Sequence, residues 1–197
     1  MPKEFQKKIL LRSCFRRFCM EFYIERFRTE LRLFDDNSDL EIYSNWWMPF
    51  LKSSRAVILN KNGDKLYSIK RNFLLSKFKL VYEIHRANGF KYILDLTRKG
   101  TIYEIKIDDN FYEIKIHKQR KSSIFKNKIQ IALIDEAFMS LLGKNKIKVL
   151  ANNDVNKEIV FLLITCLNIG NENESEMSFD FGNIGKVEAL DNNWKPN

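Results

Sequence analysis

The chain has 197 residues, of which 45% are hydrophobic and 30% are charged, and its formal net charge is +9. This composition excludes general disorder and suits one domain with a sizeable core, because disordered chains lack the apolar residues that form one. The excess of Lys and Arg favours an anionic partner, such as nucleic acid or acidic lipid headgroups, or else a surface that keeps an aromatic-rich protein soluble.

Residues 1–20 form a basic N-terminal extension with six Lys or Arg residues and one acidic residue, Glu4. Its apolar residues fall partly on helical spacing. We predict either a helix that covers one end of the main domain or an amphipathic helix that touches a membrane surface. The extension lacks the continuous apolar region and the cleavage site that are typical of a secretory signal.

From about residue 21 to residue 152 the hydrophobic pattern has a period of two, which indicates strands with one buried and one solvated face. Asn62-Gly63 and Asn88-Gly89 predict hairpin turns, because Asn and Gly accept positive φ. Short antiparallel strands at regular spacing favour a sandwich or a closed barrel. The predicted strands are 21–26, 30–34, 40–44, 55–60, 65–70, 78–85, 90–96, 101–107, 111–117, 129–134 and 146–150.

A helix near residues 155–169 follows the strands and is apolar on every side. Such a helix must be buried in protein or in a membrane, and about 11 apolar residues are too few to cross a bilayer. We therefore predict a central helix enclosed by the strands, with Asn153 or Asp154 as its N-cap and Gly170 beyond its last turn. The residues expected to form its packed core are Ile159, Phe161, Leu162, Leu163, Cys166 and Leu167.

Residues 171–197 form an acidic and polar C-terminal tail, in which 178–181 and 186–190 are candidate edge strands and the final residues are expected to be disordered. The cysteines Cys14, Cys19 and Cys166 are odd in number and lack metal-ligand spacing. They indicate a reducing compartment without a disulfide framework. We expect a cytoplasmic protein, either soluble or peripheral at the membrane, because no segment is long enough for a transmembrane helix.

The sequence contains no pattern that indicates catalysis. His85 and His117 are predicted to be solvated residues at strand ends, and no Cys or Ser has the context of a nucleophile. Asp108-Asp109 is interpreted as a turn, since Asp stabilises turns by local hydrogen bonds. There is no phosphate-binding loop or dinucleotide motif. We therefore predict a protein that is not an enzyme, with no cofactor and no metal site.

Two clusters of basic residues are the best candidates for binding phosphate or another anion, through point charge and bidentate hydrogen bonds. The first runs from Lys115 to Lys128, with Lys126 and Lys128 at its end and no acidic residue in between, and the second runs from Lys70 to Lys79. The alternative is a solvated basic loop, because neighbouring residues on a strand point to opposite faces. The candidate anion-binding residues are Lys70, Arg71, Lys115, Lys118, Arg120 and Lys121.

Several segments resemble the tubby C-terminal-like superfamily, which includes tubby domains, phospholipid scramblases and LURP-one-related proteins. Residues 56–72, 82–96 and 101–118 resemble its repeated unit of a strand, a polar Gly turn and a second strand. Residues 157–169 (KEIVFLLITCLNI) resemble its central helix. The resemblance implies a mainly β fold, a closed antiparallel barrel of about twelve strands around a buried C-terminal helix, over residues 21–170.

The resemblance also implies a function at membranes, since tubby domains bind phosphoinositide headgroups and scramblases are linked to phospholipid movement. The leading hypothesis is a non-enzymatic module that binds anionic phospholipid headgroups, or a scramblase-like protein. The alternatives are a nucleic-acid-binding protein that uses basic charge and exposed aromatics, and a protein-interaction barrel without a small ligand. The oligomeric state is not indicated by any pattern in the chain.

Overall fold

The computed structural model describes residues 19–35, 37–48, 54–74, 79–97, 101–136, 145–169 and 187–197. Within these ranges twelve antiparallel strands form one closed barrel, and the helix α1 follows the last strand. The predicted fold class is confirmed. The elements are β1 (Met20–Phe27), β2 (Glu30–Phe34), β3 (Leu40–Trp47), β4 (Arg55–Asn60), β5 (Lys65–Leu74), β6 (Lys79–Arg86), β7 (Lys91–Leu96), β8 (Ile102–Ile107), β9 (Asn110–Ile116), β10 (Lys121–Lys126), β11 (Ile129–Asp135), β12 (Asn145–Ala151) and α1 (Lys157–Asn168).

Each strand pairs with its neighbours in sequence, and β1 pairs with β12 to close the barrel. The closing register runs from Met20 opposite Ala151 to Arg26 opposite Asn145. Closure gives each strand of the barrel two neighbours, although β7 and β8 pair only at Asp95 opposite Glu104 and at Leu96 opposite Tyr103.

Several of the tight turns contain residues with positive φ. Gly63 has a φ of 85° and Gly89 a φ of 92°, as the Asn-Gly pairs predict. Asn127 and Lys128 link β10 to β11 with φ values of 49° and 71°. These turns place the tips of the β4–β5, β6–β7, β8–β9 and β10–β11 hairpins at one end of the barrel.

The helix α1 is the centre of the core. Every residue from Val160 to Asn168 is buried, and Leu163 has no exposed surface. The N-cap is Asn156, whose side chain accepts hydrogen bonds from the amides of Glu158 and Ile159. The predicted N-cap at Asn153 or Asp154 is wrong, because those residues form a turn closed by the Val155 amide on the Asn152 carbonyl. Gly170 lies outside the described residues.

Several terminal predictions differ from the structure or lie beyond it. Residues 1–18 and 171–186 are outside the described residues. The final residues were expected to be disordered, but in the structure the Asn197 amide donates to Asn152 Oδ1 over 2.9 Å and the Asn153 amide donates to the Asn197 carbonyl. Residues 187–190 form no strand. Cys19 and Cys166 are free thiols, and burial raises the pKa of the Cys166 thiol.

Candidate functional site

The six predicted anion-binding residues do not form one cluster. Lys70 is exposed on the outer face of β5, whereas its neighbour Arg71 turns inward to the helix. Lys115 lies on the outer face of β9, with its ammonium 4.3 Å from the ring centre of Phe125 on β10. These side chains therefore point in different directions from different parts of the wall.

Arg71 has a structural contact at the C-terminal end of α1. Its Nη1 donates a hydrogen bond of 2.8 Å to the carbonyl of Ile169, directly after the helix. The last turn of α1 contains no basic residue of its own, so Arg71 supplies the cation that favours the negative end of the helix dipole. A charged donor on a helix-terminal carbonyl stabilises the position of the helix within the barrel.

We expect Arg71→Met to lower the free energy of unfolding by about 2 kcal/mol, because it removes a charged hydrogen bond and leaves a buried carbonyl without its donor. Urea titration measures the change. Lys70→Met is the matched control, since substitution of the exposed neighbour should change stability by less than about 0.5 kcal/mol. Equal effects of the two substitutions would contradict the assignment of Arg71 to the helix end.

The other three candidates lie at the same end of the barrel as Arg71, with Lys118 and Arg120 on the β9–β10 turn and Lys121 at the start of β10. Lys118 is exposed at the turn, and Lys121 forms an ion pair of 3.8 Å with Asp135. Arg120 lines a cavity of about 330 Å³ beside the last turn of α1. The segment from Lys121 to Lys126 is strand β10, which the sequence did not predict.

A buried charged cluster lies beside this cavity. Arg26 and Asn168 are buried, and the Asn168 side-chain amide donates to Glu136 Oε1 over 3.5 Å. Burial raises the pKa of Glu136 to about 7, although the positive charges of Arg26 and Arg120 act in the opposite direction. The desolvation cost of the carboxylate therefore exceeds its attraction to the two arginines.

We expect Glu136→Gln to stabilise the protein at pH 8 by about 2 kcal/mol and to have little effect at pH 4. The pKa of Glu136 is about 7 in the folded chain, above the ordinary value of 4.5 that applies in the unfolded chain. The contribution of Glu136 to the free energy of unfolding is therefore complete below pH 4.5 and is lost as the pH rises through about 7. Thermal unfolding of both proteins across this range measures the difference, and a less stable variant at pH 8 would contradict it.

Three exposed apolar side chains lie on neighbouring hairpin tips at the end of the barrel opposite the β9–β10 turn. Phe90, Phe111 and Ile129 are 58%, 38% and 66% exposed. The Tyr92 hydroxyl donates to Asp108 Oδ1 over 2.9 Å and joins the first two hairpins. The Phe111 amide donates to Asn127 Oδ1, also over 2.9 Å, and joins the second and third. The tips are therefore fixed beside one another.

Three lysines lie next to two of these apolar tips, those of Phe111 and Ile129. Lys106 pairs across the sheet with Phe111, Lys126 pairs with Ile129, and Lys128 lies in the turn between β10 and β11. No carboxylate among the described residues forms an ion pair with any of the three. We call Phe90, Phe111, Ile129, Lys106, Lys126 and Lys128 together the hairpin rim.

Acidic side chains at the tips are fewer or already paired. Asp108 accepts from Tyr92 and lies 3.7 Å from the Arg86 guanidinium. Asp109 is exposed in the same turn. Lys106, Lys126 and Lys128 outnumber the carboxylate of Asp109, so the hairpin rim combines apolar surface with net positive charge.

The sequence predicted the strands of the hairpin rim but not its exposed apolar residues. Phe90, Phe111 and Ile129 were predicted as the first residues of strands, and no prediction was made that they are exposed. The available signal was their position: each directly follows a hairpin turn, at Asn88-Gly89, Asp109-Asn110 and Asn127-Lys128. At a hairpin tip the chain extends beyond the core, so an apolar residue there stays in solvent.

The two histidines differ from each other. His85 is exposed near the end of β6, as predicted. The same prediction is wrong for His117, which is buried. Its Nε2 is 2.9 Å from Ser123 Oγ and its Nδ1 is 3.0 Å from the Glu188 carbonyl. The C-terminal segment covers this ring, and a period-two pattern cannot show such a cover.

A larger cavity of about 640 Å³ lies near the start of α1, between the β2–β3 and β4–β5 turns. Its lining includes four acidic residues, Asp35, Asp39, Glu41 and Glu158, and two basic residues, Lys61 and Lys157. Their net negative charge makes this cavity a poor site for an anionic headgroup. The described residues contain no group of three or more His, Cys, Asp or Glu placed to hold a metal ion.

The sequence matches no family model and no curated protein. Among solved structures, the barrel is similar to the X-ray structure of a protein from Arabidopsis thaliana, with a TM-score of 0.55 and 13% sequence identity. The similarity covers 77% of this chain and 90% of that chain. At this identity it shows a shared fold alone, and function has to be argued from the residues of the site.

Proposed function

We propose that this protein is a non-enzymatic, peripheral membrane protein of the cytoplasm that binds anionic phospholipid headgroups through the hairpin rim. The observation that carries the proposal is the presence of Phe90, Phe111 and Ile129 on three adjacent tips, next to lysines that form no ion pair with any described carboxylate. Apolar surface rimmed by charge is typical of sites that contact a membrane or another macromolecule.

The arrangement fits a bilayer surface because its two parts match the two layers of the lipid interface. The apolar tips would enter the boundary between headgroups and acyl chains, while Lys106, Lys126 and Lys128 would meet the phosphates. No helix among the described residues is long and apolar enough to cross a membrane.

The resemblance to the tubby C-terminal-like superfamily adds to this proposal, and we propose membership of that superfamily on the same grounds. Its members include lipid-binding domains and scramblases. The alternative of single-strand binding requires a basic groove with several stacking platforms. The exposed large aromatics of the described residues are Trp47, Phe90 and Phe111, and Trp47 lies at the other end of the barrel.

We expect the triple variant Phe90→Ser, Phe111→Ser, Ile129→Ser to bind anionic vesicles about 30-fold more weakly, because removing the three tips costs about 2 kcal/mol of apolar burial. Sedimentation with vesicles of phosphatidylcholine and phosphatidylserine measures the partitioning. The three residues are exposed, so the variant is expected to keep its thermal stability.

The control is Trp47→Ser, Met48→Ser, which removes apolar side chains that are 45% and 54% exposed at the opposite end of the barrel. Equal loss in both variants would contradict binding through the hairpin rim. If the wild-type protein does not bind vesicles but binds a single-stranded oligonucleotide, the result would favour the nucleic-acid alternative. Binding to neither would favour a protein-interaction barrel.

A further inference from the structure

We propose that Asn88, at the tip of the β6–β7 hairpin, is a site of spontaneous deamidation, and that Asn62 is protected from the same reaction by its turn. Asn62-Gly63 and Asn88-Gly89 are two exposed Asn-Gly pairs at hairpin tips of this barrel. The chemistry of the site is independent of membrane binding, whereas its consequence for the hairpin rim rests on the proposed function.

Deamidation is an intramolecular reaction between the asparagine side chain and the backbone that follows it. The Gly89 nitrogen attacks Asn88 Cγ and gives its proton to hydroxide. A five-membered succinimide ring closes as the bond from Cγ to the side-chain nitrogen breaks and ammonia leaves. Water then adds to either ring carbonyl and reopens the ring as aspartate or isoaspartate, so one water is consumed and one ammonia is released. Glycine favours the attack because it has no side chain to obstruct it.

The two Asn-Gly turns share one backbone geometry and therefore form an internal comparison. The Gly63 amide donates to the Asn60 carbonyl, and the Gly89 amide donates to the Arg86 carbonyl, both over 3.0 Å. The two glycines have φ values of 85° and 92°. Each glycine nitrogen has to lose its hydrogen bond before it attacks, so this bond does not distinguish the two sites. A difference in reactivity has to come from the surrounding side chains.

The turn at Asn62 is held by the side chain of Asn60. Asn60 Oδ1 accepts from the amides of Asn62 and Asp64, both over 2.9 Å, and Asn60 Nδ2 donates to Asp64 Oδ2 over 3.0 Å. The amide that follows the glycine is therefore already occupied. In the other turn Arg86 stands at the position of Asn60, and its guanidinium has no acceptor atom that could do the same.

In the turn at Asn88 the reacting side chain itself accepts from the amide that follows the glycine. The Phe90 amide donates to Asn88 Oδ1 over 3.3 Å, which turns Cγ back over the backbone that contains the Gly89 nitrogen. The same N–H stabilises the negative charge that develops on Oδ1 during the attack. The surroundings are also open, because a Cβ at Gly89 would meet nothing within 4 Å, whereas one at Gly63 would lie 4.0 Å from the Tyr43 hydroxyl.

Deamidation of Asn88 would change the charge of the hairpin rim, since Asn88 is two residues before Phe90. Both products replace a neutral amide with a carboxylate, and isoaspartate also adds a methylene to the backbone of the turn. If the rim binds membranes as proposed, one carboxylate beside an anionic surface should weaken vesicle binding about fivefold. The affinity of the wild-type protein for vesicles should therefore decline during storage.

Peptide mapping of the full chain by mass spectrometry, after incubation at pH 8, measures both sites in one sample. We expect Asn88 to deamidate about three to ten times faster than Asn62, since one ordinary hydrogen bond changes a rate by about that factor. The difference should disappear in guanidinium chloride, where both Asn-Gly pairs are unfolded. Equal rates in the folded protein, or a difference that persists in the unfolded chain, would overturn the proposal.

Arg86→Asn tests the protecting side chain, because it gives the second turn the residue that holds the first. We expect the deamidation rate of Asn88 to fall to that of Asn62, and an unchanged rate would overturn the assignment. The comparison of the two sites in the wild-type protein needs no variant, so a folding defect in Arg86→Asn cannot hide it. Asn88→Asp should bind anionic vesicles about fivefold more weakly than wild type. If it binds equally while the two deamidation rates differ, the membrane role of the rim is contradicted and the modification site stands.

Discussion

Leu163→Asp is expected to unfold the domain at 25 °C. Leu163 lies in the middle of α1 with no exposed surface, and the barrel wall surrounds it. The substitution removes a packed side chain and buries a carboxylate without a partner, which together cost about 5 kcal/mol or more. Since small domains have about 5–15 kcal/mol of stability in total, this loss is comparable to the whole.

Circular dichroism and near-ultraviolet spectra measure the loss of folded structure. Ile93→Asp is the matched control, because Ile93 is an apolar residue on β7 that is 42% exposed and can keep a carboxylate hydrated. We expect that control to unfold at nearly the wild-type temperature. A folded Leu163→Asp protein with wild-type Tm would contradict the enclosed helix.

The triple variant Lys106→Gln, Lys126→Gln, Lys128→Gln is expected to bind anionic vesicles about 100-fold more weakly. Each lysine near an anionic surface contributes about 1 kcal/mol, so three contribute about 3 kcal/mol. The wild-type affinity should fall steeply with added salt, because salt screens exposed charges. The variant should show a smaller dependence on salt, and sedimentation at several ionic strengths measures both effects.

The control is Lys70→Gln, Lys115→Gln, Lys118→Gln, which removes the same amount of charge from residues that the sequence predicted as anion ligands. Lys70 and Lys115 lie on the wall, and Lys118 lies at the opposite end of the barrel from the hairpin rim. We expect this control to bind within about threefold of wild type, since its charges are farther from the bilayer than a Debye length of roughly 10 Å. A larger loss of vesicle affinity in the control would indicate that the predicted basic residues, and not the hairpin rim, bind the membrane.

Most of the barrel could be predicted because its strands alternate clearly and its turns contain residues that accept positive φ. The segments 30–34 and 55–60 were predicted with the bounds that β2 and β4 have. Strand β10 was missed because two successive serines, Ser122 and Ser123, remove the contrast between its faces, although both are buried. The pairing of β1 with β12 joins distant parts of the sequence, and a local pattern contains no information about it.

The positions of the basic residues were harder to predict than the fold. Arg71 shares its face of β5 with Tyr67 and Ile69, both buried, so the period of two already placed it inside. Its partner, the Ile169 carbonyl, depends on where α1 ends within the barrel. Arg120 follows a turn with positive φ at Gln119, which re-aims the chain toward the cavity. No pattern of charge along the sequence shows that change of direction.

The two ends of the helix show how the wall holds α1 in register. Near its start the Tyr67 hydroxyl donates to Glu158 over 2.5 Å, and after its last turn Arg71 donates to Ile169. Both partners come from the inner face of β5, four residues apart. The helix therefore cannot slide along the barrel axis without breaking one of these hydrogen bonds.

Membrane docking by the hairpin rim is tested most directly with an environment-sensitive dye placed at each end of the barrel. Ile129→Cys and Lys118→Cys would be labelled in a background with Cys14→Ser and Cys19→Ser, since the remaining Cys166 is buried. On addition of anionic vesicles, we predict a blue shift of the dye at position 129 and no shift at position 118. A shift at position 118 with none at position 129 would contradict the proposed orientation, and no shift at either would contradict membrane binding itself.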